Sequence, residues 1–226
     1  MQAIFHSLRP LQKWAMFSLL LIATGCLTIE ENYTFKKNGS GTMEYVVDMS
    51  ALADLMKSMD MGEKNKEEDP TAMGLANHAE LLKDLEGVKR VKMKEEKGGY
   101  VQRVSFAFQD LAALNRALNV LMPDSTGVQQ EFFSWDGNTL VRRSNEYADK
   151  LSDGMGGESD SLNMESMLQS MKYKYSFKFA NTVGDAQVVE GMTQERPSKK
   201  KLELATDWSV ISKDPKALDL RITLDK

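Results

Sequence analysis

One thiol, two imidazoles and 15 thioethers are the soft or nucleophilic side chains of this 226-residue chain. Cys26 is the only cysteine, so it has no internal disulfide partner. It stands where the apolar run "WAMFSLLLIAT" (14–24) gives way to the polar, strand-like "LTIEENYTF" (27–35). A thiol there is a nucleophile for acylation. Of the two histidines only His78 follows Cys26, and a Ser-His-Asp or metal-histidine centre would have to use it. It lies in "ANHAELL", beside a helical face of Leu and Ala with no flanking motif, and reads as a surface or half-buried helix residue. No GxSxG, P-loop, GxGxxG or HExxH pattern occurs. No catalytic residue, metal ligand or cofactor is assigned, and the chain is expected not to be an enzyme.

Leaving out Met1 and Met16, 13 of the 15 methionines fall in 26–226. Met49, Met56, Met59 and Met61 form one run; Met155, Met164, Met167 and Met171 form another. Thioethers favour Cu(I), but most of these residues recur at helical spacing, where methionine fills gaps in a core. Packing is the better account, and an adaptable apolar surface for a lipid or partner comes second. The acidic loops at 63–69 and 153–160 lack EF-hand spacing and read as solvated. Lysines 172, 174, 178 and 199–201 fit two readings equally. They could face lipid headgroups, or they could guard an edge strand against pairing.

The first 25 residues have three parts: a start carrying Arg9 and Lys13 and no acid, a short apolar middle, and small residues before Cys26. That is the pattern of an export signal. The apolar stretch is shorter than the roughly 20 residues of a membrane-spanning helix. "ATGC" (23–26) resembles the bacterial lipobox, which implies a signal peptide at 1–25 and acylation of Cys26 before the signal is cut. Diacylglycerol on sulfur plus an N-acyl chain gives the multi-chain anchoring that one chain cannot. Leu27 stands where an inner-membrane retention signal often has Asp; by resemblance to Gram-negative sorting, this favours the outer membrane in such a cell.

Of the 29 basic residues only Arg9 and Lys13 precede Cys26, so the part that remains carries 27 against 33 acidic ones, a net charge near −6. Nucleic-acid binding wants the opposite balance. The size suits one domain, 26–226, able to bury roughly 70% of its unfolded surface. Within it, 29–49 reads as a hairpin turned at "NGSG". Ser50 caps a short helix bearing Leu52, Leu55, Met56 and Met59. A second helix starts at Asp69-Pro70 and carries Leu75, Ala79, Leu82 and Leu85. Two strands flank Gly98-Gly99, Asp110 caps a third helix ending before Pro123, and 129–144 is a hairpin turned at Asp136-Gly137. A short helix with Met164, Met167, Leu168 and Met171 precedes "YKYSFKFA", whose aromatics share one face. "KLELATDWSVI" and "DLRITL" supply two late strands. Strand pairs separated by helices predict an α+β domain: one antiparallel sheet built from hairpins, with three or four short helices packed on one face.

The lipobox, the early "NGSGTMEYVVDMS" hairpin followed by a helix, and the late "YKYSFKFANTV" strand resemble the LppM-type lipoprotein domain of exported bacterial lipoproteins. That resemblance implies a mixed α/β envelope domain that binds at the membrane, with no known catalysis. Together the readings predict a lipid-anchored envelope protein, joined to the membrane by its N-terminal acyl chains. A hydrophobic ligand or lipid is expected between the sheet and the Met-bearing helices, at Leu52, Leu55, Met56, Met59, Met167 and Met171. An accessory subunit with an envelope-protein partner is the alternative.

Overall fold

The computed structural model describes residues 27–51, 53, 75–123, 127–144, 161–214 and 216–225. The early hairpin is β1 (Thr28–Phe35) and β2 (Gly41–Asp48), followed by α1 (Leu75–Lys83), β3 (Val88–Glu96) and β4 (Val101–Phe108). Then come α2 (Leu111–Leu121), β5 (Phe133–Asp136), β6 (Thr139–Arg142) and α3 (Ser161–Ser170). The chain continues through β7 (Lys172–Phe179), β8 (Val183–Val188), β9 (Thr193–Ser198), β10 (Lys201–Asp207), α4 (Trp208–Ile211) and β11 (Leu220–Leu224).

The class is α+β, as the pattern of strands and helices predicts, but the layers differ from the expected ones. Seven strands form a mixed sheet in the order β3-β4-β2-β1-β7-β10-β9, and four more form a second sheet, β5-β6-β11-β8. At the centre of the large sheet β1 and β7 run parallel, with Tyr33 opposite Phe177 and Phe35 opposite Phe179. A parallel pair needs a long crossover rather than a turn, and residues 36–171 supply it. The helices fall into two separate groups along the large sheet. α1 and α2 pack on each other and on β3 and β4, while α3 and α4 pack together and on β10. The second sheet takes part of the place expected for helices.

The parallel register explains the aromatic core. Residues at matching positions on β1 and β7 stand side by side, so Tyr33 stacks on Phe177 with centroids 5.2 Å apart, and Phe35 on Phe179 at 5.5 Å. Phe133 from the small sheet meets Tyr33 edge-on at 5.1 Å. Such pairs contribute about 0.5–1.5 kcal/mol beyond their area burial. One core cluster holds these rings with Leu114 and Leu118 of α2 and Leu220 and Ile222 of β11, so both sheets share it.

Local signals account for most boundaries. The Asp110 carboxylate accepts the Ala113 N–H at 2.8 Å and starts α2. Trp208–Ile211, expected to continue a strand, is instead helical: the Asp207 carboxylate accepts the Ser209 N–H at 3.0 Å, which caps a short turn. β9 is exposed along its whole length and contains Pro197, as an edge strand permits. Gly41 sits between Phe35 and Phe108 in the register, and a Cβ there would run into the Thr34 carbonyl and the Phe108 ring. Gly41→Ala should therefore lower stability by about 2–3 kcal/mol. A shifted urea midpoint with an unchanged slope is the expected reading, and an unshifted midpoint would contradict this packing.

Candidate functional sites

The end of the sheet nearest Cys26 is built from β1, β7 and β10. Cys26 itself lies outside the described residues, but its neighbour Leu27 is fixed: it is buried, and its carbonyl accepts the Lys172 N–H at 2.8 Å. The Trp208 N–H donates to the Met171 carbonyl at 3.1 Å, closing the same corner. Leu52, Leu55, Met56 and Met59 also lie outside the described residues, as do the acidic loops at 63–69 and 153–160. The other two expected ligand residues part company. Met171 is 2% exposed and belongs to the core, while Met167, one helical turn earlier, is 43% exposed. Of the six, these two alone fall among the described residues.

His78 lies on α1 and is half-buried, with its Nδ1 unpartnered among the described residues; burial lowers its pKa. No group of three or more His, Cys, Asp or Glu among the described residues converges to hold a metal. No helix among them is long and apolar enough to cross a membrane.

The strongest electrostatic feature is one that the sequence reading passed over. Glu31 (0% exposed) and Arg142 (2% exposed) pair at 2.9 Å, joining β1 of the large sheet to β6 of the small one. The hydroxyls of Tyr33 and Tyr173 both donate to the Glu31 carboxylate. The guanidinium lies over the Tyr175 ring, 4.8 Å from its centroid, and reaches the Leu218 carbonyl at 3.4 Å. Burial opposes the charge on Arg142, but Glu31 and the three tyrosines outweigh it and hold its pKa well above the ordinary value. Burial pushes the Tyr33 and Tyr173 hydroxyls well above the usual tyrosine range, and the Glu31 charge adds to that rise. Burial raises Tyr175 as well, with Arg142 working against it. The group is sealed from solvent and fixes the two layers in register. Its signal in the sequence is parity: Ile29, Glu31, Tyr33 and Phe35 alternate on one face, so Glu31 points where the aromatics point.

Concave surfaces open at more than one place among the described residues. On the uncovered face of the large sheet a groove of about 730 Å³ has a floor of small polar residues, among them Asn32, Thr34, Thr42, Ser105 and Ser176. Arg90 and Lys92 on β3 stand at one rim, and Lys178 and Lys201 at the other. Glu44 lies between them, 3.7 Å from Arg103 and accepting from the Asn32 amide at 3.5 Å. Lys201 pairs with Glu203, whereas Arg90, Lys92 and Lys178 have no carboxylate partner among the described residues. Arg90 has a positive φ of 58° within the β-bulge between Lys89 and Lys92. A non-glycine residue held there costs conformational energy, and bulges re-aim side chains. A smaller pocket of about 430 Å³ opens at the far end of β1, where Phe35, Phe179 and Trp135 meet Lys36 and Asn138.

No family model matches the chain, and no curated protein matches it. Among solved structures it is similar to the NMR structure of the folded domain of the Mycobacterium tuberculosis LppM protein. The identity is 13% and the TM-score 0.44, over 92% of this chain and 94% of that one.

Proposed function

We propose that this chain is a non-enzymatic, lipid-anchored protein of the cell envelope that binds a hydrophobic ligand or lipid at the membrane surface. The observation that carries this reading is the position of the lone Cys26. It follows an export-type segment and directly precedes Leu27, whose carbonyl is already part of the sheet. Acyl chains on that sulfur would hold the body against the bilayer with almost no spacer, since one residue spans about 3.8 Å. The corner made by Leu27, Met171 and Trp208 would then face the membrane. Met167, an exposed apolar side chain one turn from that corner, is the described residue best placed to meet a ligand's hydrocarbon. Methionine suits the task because its flexible thioether adapts to irregular apolar shapes.

In bacteria fed a clickable fatty acid, the full chain should label and sediment with membranes. Cys26→Ser should abolish labelling, and labelling that survives the change would overturn the anchor. Organic extracts of the purified protein should yield the same lipid from independent preparations. Lipid-free extracts from an anchored protein would remove the ligand and leave the anchor standing.

A further inference from the structure

The open groove lies away from the anchor corner. Leu27 and Thr34 are seven residues apart on an extended strand, a separation of roughly 23 Å. We propose that this groove is a second binding site, for an extended anionic glycan. Its rims are four strand spacings apart from β3 to β7, about 19 Å, so a bound molecule touching both must be long. Three of the rim cations, Arg90, Lys92 and Lys178, have no carboxylate partner among the described residues and are available to external acid groups. The floor between them offers hydroxyls and amides, which exchange hydrogen bonds with sugar hydroxyls, and its one carboxylate, Glu44, is engaged by Arg103 and the Asn32 amide.

An anionic bilayer fits this face less well. The surface is concave, and beyond the groove carboxylates outnumber cations, with Glu30, Glu195 and Glu203 against Lys174 in the adjoining hollow. Laying the face flat on anionic headgroups would set those carboxylates against like charge. A glycan strand needs only the groove.

The test uses the full chain purified in mild detergent, titrated with polygalacturonate, with dextran as the uncharged polysaccharide and poly-glutamate as the acidic peptide. Polygalacturonate should bind, more weakly as salt rises, and dextran should not. Lys92→Ala with Lys178→Ala should weaken it by about tenfold or more. Arg90→Gly is the decisive variant. It removes the guanidinium and relieves a backbone conformation that glycine adopts freely, so affinity should fall while the thermal midpoint holds or rises. Unchanged affinity in these variants overturns the proposal. So does poly-glutamate binding as tightly as polygalacturonate, or a larger loss of phosphatidylglycerol-vesicle binding than of polygalacturonate binding when Lys92→Ala and Lys178→Ala are combined.

Discussion

Glu31→Gln is expected to lower unfolding stability by about 3–5 kcal/mol, because it leaves a buried guanidinium without its counter-charge. Arg142 then faces a neutral amide oxygen, long contacts to the Leu218 and Arg143 carbonyls, and the rings of Tyr175, Phe132 and Phe133. Arginine cannot escape by losing its proton. Arg142→Met should cost less than Glu31→Gln. The stranded carboxylate would keep the hydroxyls of Tyr33 and Tyr173 and can also take up a proton. Replacing both partners, as Glu31→Leu with Arg142→Met, should recover much of the loss, since a well-packed apolar pair in such a site is often no worse than the ions. Urea unfolding of the wild type, Glu31→Leu, Arg142→Met and the double variant gives the cycle directly. Additive losses would mean that the two side chains do not act as a unit.

The same cluster predicts an abrupt alkaline limit. Tyr33, Tyr173 and Tyr175 are buried, with pKa values raised by burial and, for all three, by the nearby Glu31 charge. Below about pH 10 both folded and unfolded chains keep these protons and the full stability is present. As pH rises further the unfolded chain releases protons that the folded chain holds, so stability falls. Each such tyrosine contributes a slope of about 1.4 kcal/mol per pH unit, and three together roughly 4. Tyrosinate absorbance from at least these three of the six tyrosines should therefore appear in step with unfolding. Tyr33→Phe should reduce the steepness of the decline. All six tyrosines ionising near the ordinary value in still-folded protein would contradict the buried network.

Local pattern carried the reading a long way. The alternation of Tyr173, Tyr175, Phe177 and Phe179 marked the buried face of β7, and all four are 3% exposed or less. Asp110, Gly137 and the Leu114–Leu118–Leu121 stripe located α2 and the β5–β6 turn for stated chemical reasons. Pairing between distant segments left no such trace. Nothing within "IEENYTF" or "YKYSFKF" says that they lie parallel, because strand direction is set by the path of the intervening chain. β8 and β9 went unread because neither carries a run of alternating apolar residues; β9 is wholly exposed.

The sites follow the same division. Cys26 stands out from its surroundings in the chain, whereas Arg142 in "LVRRS" looks like an ordinary strand-end cation until β1 is laid against it. The groove floor is less legible still: Asn32, Thr42 and Ser105 look like any solvated face, and only the order β4-β2-β1 makes them neighbours. Methionine spacing correctly sent Met171 inward but could not separate it from Met167, since both fit the same helical stripe.

The anchor at Cys26 is the claim on which the rest of the functional reading stands, and intact-mass measurement of the protein extracted from its own membranes tests it most directly. The account predicts a chain beginning at Cys26 whose mass exceeds that of residues 26–226 by a diacylglyceryl group and an acyl chain. An unmodified polypeptide, or one beginning at another residue, would contradict it.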